Sequence, residues 1–316
     1  IINKVKLEKV EDGYTEIKTQ GNHTYYLLNG RMHKEDGPAH VERYRGVVHH
    51  ENYYINGKQH REDGPASISY NNDGGVIKHE YHMFGHLHRE GKPAVISYGE
   101  GGQSLREEYW SKGKRHREDG PSYISRDING RTLKRTYDVK GKRHREDGPA
   151  YEQFMHYNED LVIYVREYYI NDEKHREDGP ARIEYSKSGE IQTKYYFING
   201  TYHRTDGPAQ VEYYKNGNIR TEKYYVDGKH HRIDGPAIVF NHGDGTREHE
   251  EYAINGQMHR EDGPAEVTYD EDGNPNREVY WLKGQRVQGR EWIEKLDIYK
   301  KKNVNESKTI KIKILR

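Results

Sequence analysis

A string close to His-Arg-Glu-Asp-Gly-Pro-Ala occurs nine times in this chain, and no other feature limits the fold so strongly. Its histidines are His33, His60, His88, His116, His144, His175, His203, His231 and His259, separated by 27, 28, 28, 28, 31, 28, 28 and 28 residues. A tenth, decayed copy places Val287 one further 28-residue step along, and nine of the ten prolines belong to the motif. Three residues ahead of each histidine stands a glycine, from Gly30 through Gly256 to Gly284 ahead of Val287, with Asp172 as the exception. Four residues before that position stands a tyrosine in every copy: Tyr26, Tyr53, Tyr81, Tyr109, Tyr137, Tyr168, Tyr196, Tyr224, Tyr252 and Tyr280.

Each unit reads as two short strands separated by turns. Asn-Gly at 29–30, 56–57, 199–200 and 255–256, and Asp-Gly at 227–228, are two-residue hairpin signals, because both central residues must tolerate positive φ. Gly-Pro marks a bend at the other end, since proline fixes its own φ and drives the preceding residue out of the helical region. The strand that follows alternates, as in Ser67-Ile68-Ser69-Tyr70, and ends in a second turn such as Asn71-Asn72-Asp73-Gly74. Glycine and proline interrupt the chain too often for helices. The expected fold is all-β, an elongated single-sheet antiparallel β-hairpin repeat of about ten units of 28 residues. Residues 1–22 form an N-terminal cap, 23–290 the tandem repeats, and 291–316 a basic C-terminal cap or tail.

Composition fits this only through its aromatics. The 316 residues are 31% hydrophobic and 33% charged, a balance that ordinarily points to disorder. Acidic and basic residues are equal at 52 each, however, and 29 tyrosines supply rings that can be buried. The ten recurrent tyrosines are therefore assigned to packing, in preference to a stacking platform for sugars or bases. Their neighbours vary from Tyr54, Tyr169, Trp110, Phe197 and Trp281 to His82, Asp138 and Ala253, which suits a more exposed face. With no cysteine, disulfides, thiolate metal sites and cysteine nucleophiles are excluded. Zero net charge argues against nucleic acid as a partner. No apolar run is long enough to span a bilayer, and the first residues lack a signal-peptide core, so a soluble protein, intracellular or virion-associated, is expected.

The unit Tyr-Tyr-x-x-Gly-x-x-His-Arg-x-Asp-Gly-Pro-Ala resembles a longer relative of the MORN repeat, and more closely the MORN-like repeats of the "HREDGPA" type from large DNA viruses and some bacteria. The resemblance covers about residues 23–290. It implies a MORN-like solenoid built on a single antiparallel sheet and used as a scaffold, with membrane association, dimerisation and partner docking all known in the family. The 28-residue length and the Gly-Pro bend depart from the ordinary MORN unit and weigh against inherited lipid binding.

Histidine, glutamate and aspartate side by side are also candidates for acid-base or metal chemistry. Nine near-identical copies spread that chemistry evenly instead of concentrating it, so no enzyme, no catalytic residue, no metal and no cofactor is expected. The histidines, arginines and aspartates are assigned to ladders of charge-assisted hydrogen bonds between neighbouring units.

Three departures from the repeat remain. Three extra residues around Phe154–Leu161 make either a longer turn or a protruding contact. The third copy reads Arg89-Glu90-Gly91-Lys92-Pro93 and looks like drift. The C-terminal stretch is basic, with Lys300, Lys301, Lys302, Lys311 and Lys313 as candidate partner contacts, and Thr309–Ile314 alternates as a strand that either caps the last unit or joins a partner's sheet edge or acidic surface. The expected function is a non-catalytic scaffold or protein-interaction rod, more narrowly a structural component of a large DNA virus particle or assembly site, with a lipid- or glycan-binding repeat protein as the alternative. Protein partners are expected, other structural proteins among them; self-association through sheet edges is open, and a membrane surface is not favoured.

Overall fold

In the computed structural model, residues 4–10, 13–157, 160–288 and 293–298 are described. They are almost entirely antiparallel β, with one short helix at 293–298. The chain divides into two compact units, Ile1–Asp172 and Glu173–Arg316. The division falls in the irregular turn where Asp172 replaces the usual glycine.

Within each unit the architecture is one repeated step. In the first unit, Ser67–Tyr70 pairs with Val76–Glu80, which pairs in turn with Val95–Tyr98 of the next repeat. The second unit repeats this, as where Gln210–Tyr213 pairs with Ile219–Lys223 and that strand with Ile238–Asn241. The hairpin turn is tight: Gly74 donates to the Asn71 carbonyl, and the Asn71 side chain accepts the amides of Asp73 and Gly75. A bulge follows in the returning strand, between Val76 and Lys78. At the N-terminus, Lys4–Val10 and Gly13–Gln20 continue the same ladder onto His23–Leu28, so that the segment assigned as a cap is itself sheet.

Each repeat also carries a smaller hairpin at the turn that Asn-Gly signals in the sequence, and its two short strands bring the unit to four where two were expected. Tyr54–Ile55 pairs with Lys58–Gln59 around Asn56 and Gly57, both at positive φ. The same turn is adopted by Phe84-Gly85, Lys112-Gly113, Lys140-Gly141, Asn171-Asp172 and Lys283-Gly284, where the sequence lacks the Asn-Gly signal. The recurrent tyrosine lies at the break between main strand and small hairpin in every repeat from Tyr53 to Tyr252, while Tyr26 and Tyr280 lie within continuous strands.

The unequal step lengths both arise in the main hairpin, one in its turn and one in its strands. The 27-residue step uses a two-residue turn, Arg45-Gly46, between His40–Tyr44 and Val47–Asn52. The 31-residue step lengthens the ladder itself: Tyr151–Tyr157 pairs with Asp160–Glu167, and Phe154, Met155, His156 and Tyr157 face Ile163, Val162, Leu161 and Asp160. The three added residues thus extend paired strands. The His156 imidazole reaches the Asp127 carboxylate in the preceding turn at 3.0 Å.

The deepest part of the core is built on alanine and β-branched residues, with the tyrosines packed beside it. Every motif alanine from Ala39 to Ala265 is 0% exposed, and Ser122 takes that place in the fourth copy. Val41, Ile68, Val211, Val239 and Val267, two residues further on, are also buried. All ten recurrent tyrosines pack but remain half-buried. Their variable neighbours are no more exposed: Phe197, Asp138 and Ala253 are buried, and the rest half-buried. Each alanine follows the Gly-Pro bend at the entry to the sheet, with its backbone bonded on both sides, as where the Ala66 amide donates to the Glu80 carbonyl and the Ala66 carbonyl accepts the Tyr53 amide.

Candidate functional site

The motif loop is the feature this chain displays most often, and its residues divide the work. The backbone amide of the histidine donates to the tyrosine carbonyl of its own unit, as His60 does to Tyr53 at 3.1 Å. The histidine ring then faces the next unit. Its Nδ1 accepts the backbone amide of the first turn residue there, in nine copies out of nine: from His33 with Asn56 at 3.1 Å to His231 with Asn255 at 3.1 Å and His259 with Lys283 at 3.3 Å. Two backbone bonds reinforce each rung, as where Gly57 donates to the Met32 carbonyl and Lys34 to the Tyr54 carbonyl.

Arginine and aspartate act inside the loop, which corrects the expectation that they bridge neighbouring units. Arg145 Nε donates to Asp147 at 2.7 Å and its Nη1 to the Pro149 carbonyl at 3.3 Å, while the guanidinium lies 4.0 Å from the centre of the Tyr137 ring. Arg61, Arg117, Arg204, Arg232 and Arg260 repeat this stacking on Tyr53, Tyr109, Tyr196, Tyr224 and Tyr252 at 3.9–4.1 Å. Burial pushes the Tyr53, Tyr224 and Tyr252 hydroxyls above their usual range. One face of each of these rings is thus occupied by a cation and closed to a stacked sugar or base.

The glycine of the motif is there for space. A Cβ at Gly148 would meet Arg145 Cζ at 3.0 Å, and the same holds at Gly64, Gly120 and Gly235 against their own arginines. These loops leave Glu146 and Asp147, and their counterparts, more than three-quarters exposed at most copies. Two open grooves lie between consecutive loops, one along Arg89 to Asp119 and one along Arg232 to Asp262. Among the described residues, no three histidine, aspartate or glutamate side chains converge on a common point as metal ligands would.

Sequence reasoning missed a buried ionic cluster in the first unit. Glu108, 2% exposed, is held by Arg106, by Arg115 at 2.7 Å and by the Trp110 indole N–H at 3.0 Å. Burial pushes its carboxyl up, but the two arginines outweigh burial and hold it below the usual range. Asp138, standing where most other repeats place an aromatic ring, accepts from Ser122 Oγ at 2.6 Å, Thr136 Oγ1 at 3.1 Å and Arg143 Nε at 3.2 Å. The signal was present, because serine for alanine at 122 and aspartate for an aromatic at 138 are paired departures. Only their contact joins them. Lys300, Lys301, Lys302, Lys311, Lys313 and the strand expected at 309–314 lie outside the described residues.

Comparison with known proteins adds little. No protein-family description and no curated protein matches this chain. Among solved structures it has a weak likeness to a chain of "Crystal Structure of TcdB2-TccC3", at 10% identity, covering 89% of this chain and 20% of that one, with a TM-score of 0.13. This chain therefore spans about a fifth of that protein's length, and a likeness at that TM-score carries no argument. What the architecture defines is a class, the β-hairpin repeat proteins. No helix among the described residues is long and apolar enough to cross a membrane.

Proposed function

We propose that this chain is a non-catalytic scaffold that docks other proteins along its repeated loops. The observation that supports the reading is the loop itself. The residues that would carry chemistry in an enzyme are engaged in holding the repeat together, histidine to the next unit and arginine to its own tyrosine and aspartate, while an exposed pair of carboxylates is presented again and again. A surface that repeats one polar pattern on a regular frame suits recognition of an extended or multivalent partner.

Crosslinking in native source material, with identification of the joined peptides by mass spectrometry, tests this. Reproducible links from the exposed loops, the 154–161 hairpin or the lysines from Lys295 to Lys313 to one protein are the expected result. Links to capsid or other particle proteins would support the narrower viral reading. A lone monomer with no protein neighbour would sink the scaffold proposal and turn attention to lipid or glycan binding.

A further inference from the structure

The third copy of the motif differs from the others in a chemically specific way. Where Arg61, Arg117, Arg145, Arg176, Arg204, Arg232 and Arg260 each donate Nε to the aspartate two residues on, at 2.7–3.0 Å, Arg89 is followed by Gly91. No carboxylate is bonded to the Arg89 guanidinium among the described residues. Lys92 stands where the other copies have glycine. Between Arg61–Gly64 and Arg89–Lys92 one acid is lost and one base gained, so the loop becomes more positive by two charges.

The arginine is nonetheless held in the motif pose. Its Nη1 donates to the Pro93 carbonyl at 3.3 Å, as Arg145 does to Pro149, and its guanidinium lies over the Tyr81 ring at 3.6 Å, closer than in the complete copies. Its backbone amide donates to the Trp110 carbonyl at 3.2 Å. A guanidinium fixed at one end and on one face directs its Nε edge to the place that an aspartate fills elsewhere. Arg89 lines a groove of about 680 Å³ together with Tyr109, Trp110 and Lys112. The unneutralised charge is felt nearby: burial first, and then Arg89, hold His79 below its usual range. Glu90 in the same loop, and Glu118 and Asp119 across the groove, are the acids that an incoming anion must pass; Asp119 is already bonded to Arg117 at 2.7 Å.

We propose that Arg89, with Lys92 beside it, is a docking site for an acidic side chain of a partner protein, whose carboxylate occupies the position that the loop's own aspartate holds in seven other copies. The other copies supply the geometry of the bound state, a charge-assisted Nε–H···O contact near 2.7 Å on a guanidinium already stacked on tyrosine. Because the pose exists before binding, little side-chain freedom is lost on contact. The site adds a ligand class to the scaffold reading and rests on it only for the identity of the partner.

The test uses the full chain with hexaglutamate as the probe and inorganic phosphate as a second arm, at low ionic strength. It follows the arginine Nε–H resonances by NMR, assigned by single substitutions. Hexaglutamate is expected to shift the Arg89 resonance and leave those of Arg61, Arg117 and Arg145 in place. Arg89→Gln and the double variant G91D/K92G should each weaken binding at least tenfold. The double variant is the stronger control, since it restores the motif sequence of the other copies; Gly91 sits at φ +63, which the motif aspartates do not share, so the Arg89 Nε–H resonance of the free variant is read first to show that the new carboxylate has taken the site. Equal shifts at all motif arginines, undiminished binding by G91D/K92G, or a response to phosphate alone would each overturn the proposal. Failure here beside partner crosslinks elsewhere removes this site and leaves the scaffold; probe binding without any crosslinked partner does the reverse.

Discussion

The Nδ1 atom of His33 accepts the backbone N–H of Asn56 at 3.1 Å, joining one repeat to the next across 23 residues. A backbone amide can only donate, so the ring is necessarily the acceptor and carries its hydrogen on Nε2. Eight further histidines make the same contact, which turns a residue associated with catalysis into the rung of a ladder.

Replacing one rung should act locally, since each repeat contacts only its neighbours. In His33→Leu, the Asn56 amide should exchange with solvent roughly fivefold faster, equivalent to about 1 kcal/mol for one hydrogen bond at an accessible site. The Lys140 amide, bonded to His116, should be unaffected. Hydrogen exchange read residue by residue decides this, and uniform acceleration along the chain would contradict it.

Acid should weaken the fold in a defined window. Asp63, Asp119, Asp147, Asp178, Asp206 and Asp234 are each held below the ordinary carboxylate value of 3.8 by a hydrogen bond from their own arginine. Glu108 is held below 4.5 despite its burial. In every case the folded value lies under the unfolded one, so the unfolded chain takes up protons first as pH falls. The stability these groups contribute is therefore complete above about pH 4.5 and is lost as pH drops through the folded values. Urea midpoints at pH 7, 5, 4 and 3 should show little change in these contributions before pH 5 and a decline below 4.5. Asp147→Asn should shallow that decline.

Two substitutions separate the two uses of small or flexible residues in the repeat. Gly148→Ala puts a methyl 3.0 Å from Arg145 Cζ and should cost about 1–2 kcal/mol by pushing the guanidinium off Tyr137. Lys140→Asn places a residue tolerant of positive φ at a turn position with φ +53 and should stabilise by about 0.5 kcal/mol. Thermal unfolding of the two variants beside the parent measures both, and a stabilising Gly148→Ala would disprove the close approach.

The buried pair offers a cycle. Arg115→Leu leaves Glu108 with Arg106 as its remaining cation and should destabilise by about 3 kcal/mol. The double variant Glu108→Leu, Arg115→Leu should recover much of that loss, because the uncompensated charge is gone. Equal losses in single and double variants would mean that the side chains matter for shape and not for charge.

The period, the strand-turn alternation and the all-β class were legible in the residues because they are local. A glycine required at positive φ, as at Gly57, and a proline that bends the backbone leave the same mark in the sequence as in the fold. That histidine links neighbouring units was legible, but the atoms it meets, and the roles of the other motif residues, were not, for the same reason reversed. His33 accepts a backbone amide of the next repeat, Arg145 turns back over a tyrosine eight residues earlier, and Gly148 is small because that guanidinium covers it. Alanine, with one methyl, became the most deeply buried residue of the motif, while the large tyrosines, the obvious candidates for burial, were left half-covered under arginine. The sequence by itself determined the unit and its repetition; the packing of one unit on the next decided which atoms meet, since contacts between residues far apart along the chain depend on how the strands are brought side by side.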